Sequence, residues 1–168
     1  MKKLLDWLAK EVPQKSRKWF ILSAVCLSVV WSICVIMVLD FFGIELPQKQ
    51  TMGLKIATWY FHFILFILAA IEEALFRLPL AAITYKLGKS RVVLLAILLS
   101  SVIFGLLHGG FICIFIQGVS GIILCAVFLK CGGFQENARA GFLASVLTHY
   151  LCNVVLIWLA FMGGLRYF

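Results

Sequence analysis

From Val92 to Leu129 the chain carries no Asp, Glu, Lys or Arg. Roughly 20 apolar residues suffice for a helix to cross a bilayer, so this stretch is too long for one crossing. Gly109 and Gly110 interrupt it, and it reads as a hairpin of two spans. Three more runs are long enough to cross. One lies between Lys18 and Asp40, and another between Lys55 and Glu72, continuing past a charged cluster to about Tyr85; the last runs from Gly141 to about Gly163. With 64% hydrophobic and 13% charged residues and a mean hydropathy of +1.08, the chain lies outside the range of soluble domains. A secreted disulfide scaffold, a disordered regulator and a Rossmann-type enzyme are excluded. The expected fold is all-α, a polytopic transmembrane bundle of about five spans, with one long helix that carries the acidic motif and is kinked at Pro79.

The cations indicate orientation. A cytoplasmic N-terminus puts Lys2, Lys3, Lys10, Lys15, Arg17, Lys18, Lys86, Lys89, Arg91, Lys130 and Arg139 inside, leaving Lys49, Lys55 and Arg166 outside. This follows the positive-inside rule at every loop. The net charge of +8 therefore records topology and lipid headgroups, and no nucleic-acid partner is expected. Residues 1–18 read as a basic amphipathic segment in the headgroup layer, 19–42 as an uncleaved transmembrane anchor and 55–163 as the core. Gly88, Gly132, Gly133 and Gly163 stand where helices are expected to stop. None of the six cysteines, Cys26, Cys34, Cys113, Cys125, Cys131 and Cys152, forms a C-x-x-C pair, and packing is their expected role.

The polar residues inside these spans carry the functional information. Ile71-Glu72-Glu73-Ala74-Leu75-Phe76-Arg77 puts three ionisable groups in an apolar helix, where each central charge costs about 2.5–3.5 kcal/mol on insertion scales. Glu73 and Arg77, four residues apart, share a face and can pair across one turn. Glu72 is rotated from Glu73 by about 100°, so its partner must come from another helix. His108, one turn after Phe104, and His149, one turn before Asn153, are candidates. His62 reads as a satisfied core or interface residue. Counting from the loop near Gly88 to Ser90 at 1.5 Å per residue puts Glu72 and His108 level, at roughly 24 and 27 Å. His149 and Asn153, about 12 and 18 Å beyond Gly141 by the same rise, come out shallower.

Glu72-Glu73-x-x-x-Arg77, Phe104-x-x-x-His108 and His149-x-x-x-Asn153, in that order on successive spans, resemble the signature motifs of the CPBP family. These are the CAAX-protease and bacteriocin-processing (Abi) membrane proteins related to the Ras-converting prenyl-protein endopeptidase. The resemblance covers roughly Lys55 to Phe161. It implies an intramembrane peptidase in which Glu72, His108, His149 and Asn153 are the catalytic set and Glu73, Arg77 and Phe104 support them. It further implies a multi-pass protein of the cell membrane, of a compact kind common in bacteria, acting on a membrane protein or peptide.

The chemistry of the residues agrees with that implication. A carboxylate in a helix bundle, with little water around it, is an effective proton acceptor, and Glu72 is the expected base. His108 can hold the water or pass a proton to the leaving amine, while His149 and the Asn153 amide can face the oxyanion. No metal or other cofactor is expected. Zinc held by Glu72, His108 and His149 is the alternative. A proton-coupled carrier and a non-enzymatic scaffold or bacteriocin-immunity protein are the competing functions. The sequence leaves the oligomeric state open.

Overall fold

A computed structural model describes residues 2–44, 59–87, 91–134 and 137–162. Helix α1 (Lys2–Ala9) leads through a 3₁₀ turn at Gln14–Ser16 into α2 (Arg17–Phe41), followed by α3 (Trp59–Leu87) and α4 (Arg91–Leu107). A π turn at Ile114–Gly118, α5 (Val119–Phe128) and a second π turn at Leu129–Gly133 form one continuous arm, and α6 (Ala138–Phe161) follows it. Among the described residues there is no strand. The five expected runs are thus α2, α3, α4, the α5 arm and α6. By length and apolar composition, residues 14–41, 114–133 and 138–161 can each cross a membrane, and α4 is a shorter apolar helix of 17 residues. The 29-residue α3 carries the charged motif and continues through Pro79. The positions read as loop or terminal signals at Lys49, Lys55, Gly88, Lys89, Gly163 and Arg166 lie outside the described residues.

The helix stops have local causes. After α4 the chain passes through Gly109 and Gly110, at φ 141° and 99°, a region that costs a glycine little and other L-residues considerably more. The bundle is closed by close backbone approach. A β-carbon added to Gly105 would lie 2.5 Å from the Cα of Ile114, so α4 and the first π turn touch main chain to main chain, as small residues permit between membrane helices. Gly105→Ala forces the two apart and is expected to cost about 1–3 kcal/mol, read as a lower Tm in mild detergent.

Helix α2 packs across α5 and α6 through Val25 and Val29 against Cys152 and Leu156, and Ser28 bonds Ser120 at 2.8 Å. Leu27, Met37, Leu75, Leu98 and Leu143 are exposed, an apolar outer surface suited to lipid. Among the described residues the six cysteines form no disulfide; four are buried, while Cys26 and Cys34 on α2 are exposed.

The N-terminal segment is helical, but its apolar residues divide between two surroundings. Leu4 and Trp7 are exposed, whereas Leu5 and Leu8 join a core cluster with Leu80, Val93, Ile97, Cys125, Phe128 and Leu129. Lys130 holds α1 there. Its ammonium donates to the carbonyls of Trp7 and Lys10, each at 2.9 Å, and stands 4.1 Å from the centre of the Trp7 ring. Carbonyls at the end of a helix lack partners within it, and a lysine is a natural cap for them. The helix therefore packs across the end of the bundle.

Candidate active site

Glu72 sits near the middle of α3, His108 just past the last turn of α4, and His149 near the middle of α6. One oxygen of Glu72, Oε2, lies 3.6 Å from Nε2 of His108 and 3.6 Å from Nε2 of His149. Three helices thus bring their ionisable groups to one point. The expectation that His149 would lie shallower than Glu72 is corrected. The start of α6 is packed into the end of the bundle against the α5 arm, with Gly141 in contact with the Phe128 carbonyl. Its zero of depth therefore differs from that of α3 and α4.

Each imidazole is oriented by its other nitrogen. Nδ1 of His108 is 2.7 Å from the Phe104 carbonyl oxygen, one of the carbonyls that the end of α4 leaves without a helical partner. A carbonyl only accepts, so Nδ1 carries the proton, and Nε2 of the neutral ring presents a lone pair. Nδ1 of His149 is 3.1 Å from Oε1 of Glu73. A carboxylate paired with arginine is likewise an acceptor, so the same tautomer follows. At 3.6 Å neither Nε2 makes a direct hydrogen bond to Glu72. The ring of Phe104 walls both imidazoles, with centroids 4.3 Å from His108 and 5.7 Å from His149.

Glu73 and Arg77 pair as their spacing predicts, with Nε to Oε2 at 2.7 Å. The pair is not self-contained: Glu73 also accepts from Ser145 Oγ at 2.7 Å and holds His149, while Arg77 reaches the Gly121 carbonyl at 3.4 Å and Cys125 Sγ at 2.8 Å. The two neighbouring carboxylates therefore have different surroundings. The Glu73 side chain is 0% exposed and that of Glu72 35%, so water can meet Glu72 and cannot meet Glu73. A buried pair is tolerable only when its remaining hydrogen-bonding capacity is used, which is what Ser145, His149, Gly121 and Cys125 accomplish. Ser145 and Cys125 were not singled out in the sequence; the signal for Ser145 is a hydroxyl one turn before His149.

Asn153 is half-buried one turn beyond His149 on α6, placed there by helix register. His62 is an interface residue, its Nδ1 3.1 Å from the Tyr150 hydroxyl. Among the described residues no group of three or more His, Cys, Asp or Glu has the arrangement of a metal centre.

A family model described as type II CAAX prenyl endopeptidase Rce1-like matches residues 54–155, more than half of the chain. The chain belongs to this family. No curated protein and no solved structure matches it. The matched region of this Rce1-like protein takes in α3, α4, the α5 arm and most of α6, and hence every residue of the cluster. Membership makes the chain a protease-family membrane protein, in keeping with its apolar helices.

Proposed function

We propose that the protein is an intramembrane endopeptidase that hydrolyses a peptide bond of a membrane-associated protein or peptide with water activated by Glu72. The observation that carries this reading is the convergence of two imidazole nitrogens on one carboxylate oxygen at 3.6 Å. Imidazole nitrogens that face a carboxylate oxygen at a distance too long for a direct hydrogen bond suit a bridging water, the nucleophile a hydrolase requires.

Glu72 takes a proton from that water as its oxygen adds to the scissile carbonyl carbon. His108, bonded behind to a neutral carbonyl, holds the water with it. His149 is backed by Glu73, which compensates the ring when protonated; in that form Nε2–H faces the developing oxyanion, with the Asn153 carboxamide as a second donor. The C–N bond breaks, Glu72 returns its proton to the leaving amine, and the products are a carboxylate and an amine. No cofactor enters. In the alternative with zinc, Glu72, His108 and His149 would be the ligands and the metal would supply an activated water; chelation separates the two readings. The distribution of cations supports an N-terminus in the cytoplasm.

Purified protein in liposomes, given a fluorogenic peptide with a farnesylated cysteine three residues from its C-terminus, is expected to release the terminal tripeptide. Cleavage is expected to persist after exhaustive chelation. Loss on chelation with recovery on adding Zn²⁺ would transfer Glu72 and both histidines to ligand roles, and absence of cleavage in both states counts against this substrate class.

A further inference from the structure

Gln117 is the one carboxamide between Val92 and Leu129. Its Oε1 is buried and has no hydrogen-bond partner among the described residues. An unpaired buried carbonyl is destabilising, and native folds seldom keep one without a use. The residue lies in the π turn Ile114–Gly118, and single π turns within helices are frequent at functional sites.

Its neighbours along the arm establish where it faces. Ile116 packs on Ile36 of α2, and Gly118 backs onto the Ser101 carbonyl of α4. Gln117 lies between these directions, on the side that continues one turn later into Gly121. That glycine stands against the Phe104 ring, and its carbonyl receives Arg77. The α5 arm and α3 both run toward the end of the bundle that holds α1. Stepping back four residues from Gly121 to Gln117, and four or five from Arg77 to Glu73 and Glu72, moves the same way by about 6–7.5 Å at 1.5 Å per residue. Gln117 is thereby level with the two glutamates, on the central side of the arm.

We propose that Gln117 binds the substrate main chain, its Oε1 accepting a peptide N–H beside the Glu72 water. This rests on the peptidase reading above. It also accounts for a polar group that the fold alone leaves unpaired.

The test is Gln117→Leu, close in shape and unable to hydrogen-bond. With the farnesylated reporter in liposomes, KM is expected to rise about tenfold, with kcat changed much less, as for an interaction made equally in ground and transition states. In mild detergent its Tm is expected to equal or exceed that of the wild type, because the removed group had no partner. A lower Tm, or an unchanged KM, overturns the proposal. Binding of the same peptide, measured by fluorescence anisotropy in the Glu72→Gln background, separates this inference from the catalytic one. There Gln117→Leu is expected to weaken affinity about tenfold whatever role Glu72 plays, and equal affinities, or none measurable with either protein, overturn it. Cleavage undiminished by Glu72→Gln alone would sink the peptidase mechanism and leave the binding and melting comparisons to decide on Gln117.

Discussion

Glu72→Gln is expected to lower kcat for peptide cleavage by about 10²–10⁴-fold, the usual contribution of a positioned general base, with the fold undisturbed. The change keeps the shape of the side chain and removes its ability to take a proton. Glu72 is partly exposed, with a side chain 35% accessible, whereas that of Glu73 is sealed, so Tm is expected to shift far less than on breaking the buried pair. The measurement is kcat for the reporter peptide, taken beside a thermal unfolding curve of the same preparation. Activity within a few fold of the wild type would remove Glu72 as the base. A large fall in Tm would show that its carboxylate holds the bundle together.

Arg77→Leu is expected to destabilise the protein by about 3–5 kcal/mol, the range for a buried ion pair that loses one member. Without the guanidinium, Glu73 remains at 0% exposure, with Ser145 and His149 bonded to its carboxylate among the described residues. Adding Glu73→Gln removes the orphaned charge and is expected to restore most of the lost stability. A double-mutant cycle on unfolding in detergent measures the coupling, and strictly additive effects would show that the pair does not act as a unit. Activity is expected to fall in the single variant, because Arg77 fixes the Glu73 carboxylate that orients the His149 ring toward Glu72.

Much of this arrangement was legible before any coordinates. The pairing of Glu73 with Arg77 follows from the rotation per residue of a helix, as does the divergence of Glu72 from Glu73 and the contact of the Phe104 and His108 rings. The helices follow from uncharged runs and from the turn at Gly109 and Gly110, since exposed main chain cannot be left unpaired in lipid. Each of these is a local property, settled within a few residues of the motif that reports it.

Other features depended on how separate helices are rotated and shifted against one another. Glu73 spans to His149 and Ser145 across more than seventy residues of sequence, and no spacing rule reaches that far. Lys130 read as one more cation of an inner loop, yet it is 6% exposed and caps α1, because the two π turns and the packing of α6 draw that part of the arm into the bundle. The same packing sets the depth of His149, which counting from its loop underestimated. Gln117 gave no sequence signal beyond being polar; its facing became visible only once Gly118 and Gly121 were seen against α4 and α3.

Sequence alone therefore settled that this is an all-helical membrane chain and which side chains share a face within each helix, since hydropathy and helical periodicity act over a single span. Tertiary structure alone decided that Glu72, His108 and His149 meet at one oxygen, that Glu73 orients His149, and that α1 lies across the bundle end. Those outcomes rest on steric fit between helices, set by glycine-to-backbone contacts such as that between Gly105 and Ile114, and on burial that obliges polar groups from distant parts of the chain to find one another.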